Sequence, residues 1–173
     1  GEVGELWVRG QGVMLGYHDR PETNADSRRA GGWFRTGDLM RRDENGYHFV
    51  VGRLKDMIRR SDENIAAAEV EAALHSVAGV AEAAVIGVPD AMRGEEVKAF
   101  IVLKQGLTMA DLPPTEIVRD AAEHLAPFKV PRYIEYIDSL PLTPSGKVAK
   151  AELRGREAQQ PRGFDRVDNL WRT

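Results

Sequence analysis

The stretch Gly52-Arg53-Leu54-Lys55-Asp56-Met57-Ile58 decides how the chain is organised, because it separates two segments of different character. The sequence before it is rich in turns and short strand-like runs, whereas a helical pattern and longer apolar segments follow it. Lys55 and Asp56 place two charges side by side between apolar runs, where a continuous core strand would keep its alternation. The stretch therefore predicts a junction between two bodies and a change in chain direction.

Composition limits the class of protein. The 173 residues are 42% apolar, which suffices for the cores of one or two small domains. A formal net charge of -3 argues against a nucleic-acid or membrane-surface protein, since those ligands select a strongly basic face. Because cysteine is absent, disulfides and thiolate sites are excluded, and a cytoplasmic location is expected. The four histidines lack metal-ligand spacing, and no apolar run reaches the roughly 20 residues of a transmembrane helix.

Residues 1–53 have the pattern of strands joined by turns. The expected elements are a strand at 5–9, a short helix at 21–26 and a hairpin of strands 39–41 and 47–51. Asn45-Gly46 predicts the hairpin, because this pair supplies the positive backbone angles of a tight turn. Trp7 and Trp33 are expected in the core of this β-rich segment.

Residues 56–154 alternate helical and strand patterns. The predicted order is a helix at 66–76, strands at 80–88 and 97–103, a helix at 117–125, a strand at 133–137 and a helix at 148–153. This order is typical of a compact α+β domain. The polar segment 155–173 is predicted to be a loose tail, although Phe164, Leu170 and Trp171 could dock.

Two stretches could carry chemistry. Thr36-Gly37-Asp38 places a carboxylate beside a glycine, so that a pair of ligand hydroxyls could approach a bidentate acceptor. The alternative is an aspartate that fixes its own turn. The loop Leu142–Lys147 ends in a lysine that could present an ammonium to an anion, and the alternative is a solvated lysine at a helix start.

In order and spacing, eight short motifs resemble the carboxyl-terminal third of the adenylate-forming (AMP-binding) enzymes. They are Gly4–Gly10, Gly16-Tyr17, Gly32–Asp38, Gly52–Ile58, Glu63-Asn64, Ala68–Glu71, Phe128–Pro131 and Pro144–Lys147. The resemblance covers residues 4–154, and within the superfamily it is greatest to the fatty acyl-CoA and carnitine-type CoA ligases.

The resemblance implies a two-step reaction. A carboxylic acid attacks the α-phosphate of Mg²⁺-bound ATP to give an acyl-adenylate and pyrophosphate, and the thiol of coenzyme A then displaces AMP. Residues 1–53 would be the β-rich end of a large amino-terminal domain, 54–55 the hinge, and 56–154 a small mobile α+β domain. That domain would turn about the hinge between the two steps.

The resemblance also assigns roles to individual residues. Asp38 would hold the ribose hydroxyls of ATP or AMP, with Thr36 and Arg53 beside it. Lys55 would be the hinge residue. Lys147 would be the catalytic cation of adenylation.

The coenzyme A face is expected around the segment 59–64. The residues assigned to it by the resemblance are Ser61, Asp62, Asn64, Arg93, Phe128, Lys129 and Arg132. Asp62 departs from the pattern, which usually has glycine there, and its bulk and charge would obstruct the pantetheine arm. Arg93 stands where tryptophan is common in relatives, so its guanidinium would stack on the coenzyme A adenine in place of an indole. The alternative is that Arg93 is an ordinary surface charge.

Three classes of function stay open at this point. They are a part of an acyl-CoA ligase of fatty acid metabolism, an adenylate-forming enzyme with another acceptor such as a carrier protein or a luciferase-like oxygenase, and a non-enzymatic interaction module. The chain lacks the phosphate loop that relatives carry upstream, so these 173 residues alone are expected to be inactive. A homo-oligomer is possible, and neither a nucleic-acid partner nor a bound metal site is expected.

Overall fold

A computed structural model describes residues 1–172 as two compact units, Gly1–Lys55 and a second unit that begins at Asp56. The boundary lies inside the stretch 52–58. The short 3-10 turn Leu54–Asp56 carries the chain across it. Each unit has its own sheet, as expected from the change in pattern along the sequence.

The first unit is a four-stranded antiparallel sheet with one short helix. Its elements are β1 (Val3–Val8), α1 (Pro21–Ser27), β2 (Arg28–Arg29), β3 (Trp33–Arg42) and β4 (His48–Arg53). Strand β3 is central, because β1, β2 and β4 all pair with it. The predicted hairpin is present between β3 and β4, with Gly46 at φ +88° and the Tyr47 N–H bound to Asp43 Oδ1 at 2.8 Å.

The aromatic residues of this unit differ from expectation. Trp7 and Trp33 are 42% and 37% exposed, so the prediction that they are core residues is wrong. Leu39 is the one buried apolar side chain among residues 1–55. Trp33 instead stacks under Arg9, whose guanidinium carbon lies 4.8 Å from the ring centroid.

The second unit is a mixed seven-stranded sheet with helices on both faces. Its elements are β5 (Met57–Arg60), β6 (Glu63–Ala66), α2 (Ala67–His75), β7 (Val80–Asp90), β8 (Gly94–Leu103), α3 (Pro114–Ala122), β9 (Tyr133–Tyr136), α4 (Lys150–Gln159), β10 (Gly163–Asp165) and β11 (Leu170–Arg172). The long hairpin of β7 and β8 is its centre, and β9 runs parallel to β8 on the other side. The α+β class is confirmed.

The side chains of β8 point alternately to the two faces of the sheet, and each face has its own apolar core. Val97, Ala99 and Ile101 point to one face and pack in the larger core with α2 and α3. Phe100 points to the other face and packs with Leu153 of α4 in a smaller core. Because successive residues of a strand face opposite sides, one apolar strand serves both layers.

A buried cation lies among these apolar groups. Lys98 of β8 is fully buried, and its Nζ lies 2.7 Å from Glu135 of β9. The same ammonium is bonded to Glu157 of α4 and donates to the Arg162 carbonyl oxygen at 2.6 Å. These contacts tie α4 and the segment after it to the middle of the sheet.

The carboxyl-terminal segment corrects the predicted tail. Residues 155–159 complete α4, and β10 pairs with β9 and with β11, so the expectation of a loose tail at 155–173 is wrong for the part that the structure describes. Phe164 is buried and lies 5.6 Å from the Trp171 ring. The strands also extend further than predicted, since Pro89, Asp90 and Gly94 belong to β7 and β8.

Asp165 anchors this segment. It is fully buried, and its carboxylate receives Arg132 at 3.1 Å and Arg172 at 2.8 Å. Burial alone would raise its pKa, but hydrogen bonds from Arg132 and from the Val167 and Asp168 amides outweigh burial and lower the pKa of Asp165 below its usual value. Arg132 in turn has a raised pKa because of its bond to Asp165.

Asp165→Asn is expected to destabilise the second unit by roughly 3 kcal/mol, because it leaves two guanidinium groups around a neutral buried amide. The measurement is urea unfolding followed by Trp171 fluorescence in a Trp7→Phe, Trp33→Phe background. Asp168→Asn is the matched control and should change little, since Asp168 is half exposed and lies 3.5 Å from Arg132. The lowered pKa means that the contribution of Asp165 is complete above its unfolded pKa of about 3.9 and is lost as pH falls through the folded value. If the loss of unfolding free energy in Asp165→Asn stays constant down to pH 2, the lowered pKa of Asp165 is contradicted.

Candidate functional site

The Thr36-Gly37-Asp38 segment is a fixed turn within β3. The Thr36 hydroxyl donates to the Leu6 carbonyl oxygen at 2.8 Å and accepts the Asp38 N–H at 3.0 Å. Gly37 has φ +72°, a conformation that strains any residue with a Cβ. The threonine hydroxyl thus holds the turn, and the Asp38 carboxylate is left for another partner.

Glu5 supports this turn from the neighbouring strand, and sequence reasoning did not single it out. Its Oε1 accepts the Gly37 N–H at 3.2 Å, while Oε2 accepts Arg35 at 2.9 Å and Trp7 at 3.0 Å. Burial would raise the pKa of Glu5, but the bonds from Trp7, Arg35 and Gly37 together lower it below its usual value. The signal in the sequence was a carboxylate beside the apolar run 6–8.

Asp38 and Arg53 are brought together as cross-strand partners. They pair in register between β3 and β4, and Arg53 Nε lies 2.8 Å from Asp38 Oδ1. The two side chains are 34% and 51% exposed, so the ion pair adds little to stability. The pair therefore presents an accessible carboxylate whose orientation is fixed by the guanidinium.

A cleft of about 1040 Å³ lies next to this pair within the first unit. Thr36, Gly37, Arg53 and Lys55 line it, with Tyr17 on its wall. The cleft is large enough for a nucleotide-sized ligand, since sites for small molecules have volumes of about 300–1,000 Å³. The predicted hinge residue Lys55 is exposed beside it.

Lys147 lies at the end of a tight loop in the second unit. The Thr143 N–H donates to the Lys147 carbonyl oxygen at 2.7 Å, and the Lys147 N–H donates to Thr143 Oγ1 at 3.1 Å. Gly146 allows the turn with φ +77°. The Lys147 side chain is exposed, and its ammonium has no ion-pair partner within residues 1–172. The loop thus holds the backbone and leaves the charge available.

The residue that fixes the far end of this loop is Lys150, the first residue of α4. Its Nζ lies 2.7 Å from Glu71 Oε1, and the same oxygen accepts the Val85 N–H at 2.8 Å. Glu71 of α2 therefore joins the start of α4 to strand β7.

Strands β5 and β6 form a hairpin, which we call the 57–66 hairpin, and its turn is Ser61-Asp62. Ser61 is the strained residue with φ +54°, and Asp62 and Asn64 are exposed. The Ser61 N–H donates to the Arg93 carbonyl oxygen at 2.8 Å. The structure thus brings together two of the residues assigned to coenzyme A.

The remaining residues of the predicted coenzyme A set are engaged within the second unit. Lys129 Nζ binds both carboxylate oxygens of Glu69, at 2.6 and 2.7 Å. Phe128 is half buried against the larger core. Arg132 is held by the Asp165 carboxylate and lies 3.4 Å from Asp90. These contacts argue for a structural use of Arg132, which the sequence did not reveal because its partners are distant along the chain.

No group of three histidine, aspartate or glutamate side chains in residues 1–172 could hold a metal ion. None of the described helices is both long and apolar enough to cross a membrane.

Comparison with known proteins defines the class. Residues 69–147, which include Lys147, match the AMP-binding enzyme C-terminal domain. The second unit therefore contains a domain of this family, over residues 69–147.

The similar proteins include a CoA ligase and an amide bond synthetase. The chain is 49% identical over 154 residues to the 3-[(3aS,4S,7aS)-7a-methyl-1,5-dioxo-octahydro-1H-inden-4-yl]propanoyl:CoA ligase of Rhodococcus jostii, an alignment that covers 89% of this chain and 29% of the ligase. ATP-bound MatB from Rhodopseudomonas palustris superposes with a TM-score of 0.81 at 36% identity, over 91% of this chain and 31% of MatB. The amide bond synthetase McbA from Marinactinospora thermotolerans superposes with a TM-score of 0.79 at 38% identity. This superposition covers 90% of this chain and 31% of McbA. The chain thus spans about three tenths of the length of these relatives.

Glu5→Ala is expected to loosen the Thr36-Gly37-Asp38 turn without unfolding the sheet. Loss of one hydrogen bond of about 1 kcal/mol should speed hydrogen exchange of the Gly37 amide about fivefold, as measured by NMR. Glu2→Ala is the control, because Glu2 is exposed and has no hydrogen-bond partner within residues 1–172. Unchanged Gly37 exchange in Glu5→Ala would show that the turn does not depend on this carboxylate.

Proposed function

We propose that this chain is the carboxyl-terminal part of an ATP-dependent acyl-CoA ligase. The observation that carries the proposal is the 49% identity to a CoA ligase across 89% of the chain. The cross-strand Asp38–Arg53 pair and the exposed Lys147 side chain support it, since each leaves a charged group accessible to a ligand. The parent protein would be an acid-thiol ligase, and the 173 residues alone would be inactive.

In the first step, a carboxylic acid would attack the α-phosphate of Mg²⁺-bound ATP, releasing pyrophosphate and forming an acyl-adenylate. Asp38 would accept hydrogen bonds from the ribose hydroxyls, since a carboxylate offers two acceptor oxygens. Arg53 orients that carboxylate, with its Nε 2.8 Å from Asp38 Oδ1. Thr36 maintains the turn that precedes Asp38, because its hydroxyl accepts the Asp38 N–H.

Lys147 would supply the cation of this step. Adenylation brings a carboxylate up to an anionic phosphate, so negative charge accumulates between them in the transition state. An ammonium about 4 Å away, at an effective dielectric of about 20, contributes on the order of 4 kcal/mol, which is about three decades in rate. The loop supports this role because it fixes the backbone of Lys147 through Thr143 and leaves the ammonium exposed.

In the second step, the coenzyme A thiol would attack the acyl carbonyl carbon, and AMP would leave. The second unit would first turn about Lys55 so that the 57–66 hairpin replaces Lys147 at the reacting atoms. The position of Lys55 at the last residue of the first unit supports a hinge there. Ser61, Asp62, Asn64 and Arg93 would then face coenzyme A, together with Phe128 and Lys129.

A second candidate function is adenylation followed by transfer to an acceptor other than coenzyme A. The observation that favours it is the likeness to the amide bond synthetase McbA, which matches nearly as well as MatB. Asp62 also adds a negative charge where glycine would leave room for pantetheine. Incubating the complete enzyme with acid, ATP and either coenzyme A or an amine separates the two candidates by the product formed.

Lys147→Ala in the complete enzyme is expected to reduce adenylation about a thousandfold, for the electrostatic reason given above. Thioester formation from supplied acyl-adenylate and coenzyme A should change less than threefold. Acid-dependent pyrophosphate exchange measures the first step, and release of AMP from acyl-adenylate measures the second. Lys104→Ala, at an exposed position of the same unit, is the control. Equal losses in both steps would refute the assignment.

Asp62→Gly is expected to raise the rate of thioester formation several-fold, because it removes both bulk and charge from the hairpin turn. Asp62→Asn separates the two causes, since it keeps the bulk and removes the charge. Stopped-flow measurement of acyl-CoA formation from supplied acyl-adenylate is the readout. If neither variant differs from the wild type, Asp62 does not obstruct the thiol.

A further inference from the structure

The 57–66 hairpin has little backbone support from the rest of the sheet. Strand β5 pairs with β8 at one position, Arg60 opposite Gly94. An isolated two-stranded hairpin is only marginally stable in water. Ile58 and Ile65 are buried in the larger core and hold the base of the hairpin. Other side chains must therefore fix residues 59–62 if the turn is to hold a defined position.

Glu95 provides one of these contacts. Its Oε2 accepts the backbone N–H of Arg59 at 2.7 Å. The carboxylate lies close over Gly87 of β7, where a Cβ would come within 2.9 Å of its carboxyl carbon. Gly87 therefore leaves the space in which Glu95 reaches the hairpin backbone.

Glu96 provides the other contact from the opposite face of β8. It is 2% exposed, and its Oε2 accepts Arg60 Nε at 2.8 Å. Its Oε1 lies 3.4 Å from Arg93 Nε, and the Arg93 carbonyl oxygen accepts the Ser61 N–H. A buried carboxylate of this kind is strongly unfavourable without its partners, so the two arginines are confined.

We infer that Glu95 and Glu96 form a carboxylate clamp that positions the 57–66 hairpin for the thioester step. The clamp acts at three successive residues of the hairpin: the Arg59 amide, the Arg60 guanidinium and, through Arg93, the Ser61 amide. Adjacent residues of β8 face opposite sides of the sheet, so the hairpin is held from both faces. This inference rests on the proposed function, and it makes the two glutamates positioning residues that do not touch the substrate.

The clamp is separate from the support of Lys147. The Lys147 loop is held through Lys150 and Glu71, which belong to α4 and α2. The clamp involves neither of these residues. Loss of the clamp should therefore slow one half-reaction and spare the other, whereas general destabilisation of the unit would slow both.

The test uses Glu96→Gln and Glu95→Gln in the complete enzyme. We expect thioester formation from supplied acyl-adenylate to fall at least tenfold in each, with acid-dependent pyrophosphate exchange within twofold of the wild type. Glu82→Gln is the matched control, since Glu82 is an exposed residue of β7 whose side chain has no hydrogen-bond partner in residues 1–172. Unchanged thioester formation, or equal losses in both half-reactions, would overturn the inference.

Gly87→Ala provides a second variant that keeps every charge. The added Cβ should displace the Glu95 carboxylate and reproduce the effect of Glu95→Gln. A Gly87→Ala enzyme with wild-type thioester formation would refute the role of Glu95.

Hydrogen exchange in the 173-residue chain tests the clamp without any assumption about the reaction. Glu95→Ala should speed exchange of the Arg59 amide about fivefold, because this amide loses its side-chain acceptor. Glu96→Gln should speed exchange of the Ser61 amide, because a neutral side chain no longer confines Arg93, whose carbonyl oxygen accepts this amide. If both amides exchange as in the wild type, the clamp does not exist. If they respond but the complete wild-type enzyme makes no acyl-CoA, the clamp stands and the proposed acceptor is wrong.

Discussion

The buried ammonium of Lys98 is the constraint on which the second unit depends. A cation removed from water costs several kcal/mol unless it is fully paired, so the chain must bring partners to it. Glu135 comes from β9, Glu157 from α4, and the Arg162 carbonyl from the segment that leads into β10. One charge of β8 thus fixes β9, α4 and the segment that leads into β10.

Helix α4 joins this constraint to the residues proposed for catalysis. It is held to the sheet by Glu157, to α2 by the pair Lys150–Glu71, and to the start of the unit by Arg154, whose Nη2 lies 3.0 Å from Asp56. Asp56 follows the proposed hinge directly, and the Lys147 loop precedes α4. Charge pairs therefore place the beginning of the unit and the loop in one rigid body, so that rotation at Lys55 would move Lys147 with it.

Sequence patterns were sufficient for the elements whose stability is local or apolar. The alternation along 97–103 predicted a buried strand, and Asn45-Gly46 predicted the turn between β3 and β4. The pattern failed where long-range ion pairs decide the structure. Residues 163–172 are polar on average, and they fold onto the sheet because Asp165 binds Arg132, which lies thirty-three residues earlier. The 57–66 hairpin was missed for a similar reason, since its strands are four residues each and the contacts near its turn come from Glu95 and Glu96, more than thirty residues later.

In the candidate site, too, local motifs could be predicted from the sequence, whereas long-range contacts could not. Motif spacing predicted roles for Asp38, Arg53 and Lys147, because such residues are recognisable by type and order. It predicted no contact for Glu5, Glu71, Glu95 or Glu96, since their contacts follow only from which amide or guanidinium each carboxylate reaches. All four accept at least one backbone N–H or arginine bond from a different element. A carboxylate can do this for several donors at once, and the cost of burying it enforces the geometry. The Lys147 loop and the 57–66 hairpin consequently depend on different carboxylates, Glu71 of α2 for the loop and Glu95 and Glu96 of β8 for the hairpin, so each can be adjusted without loss of the other.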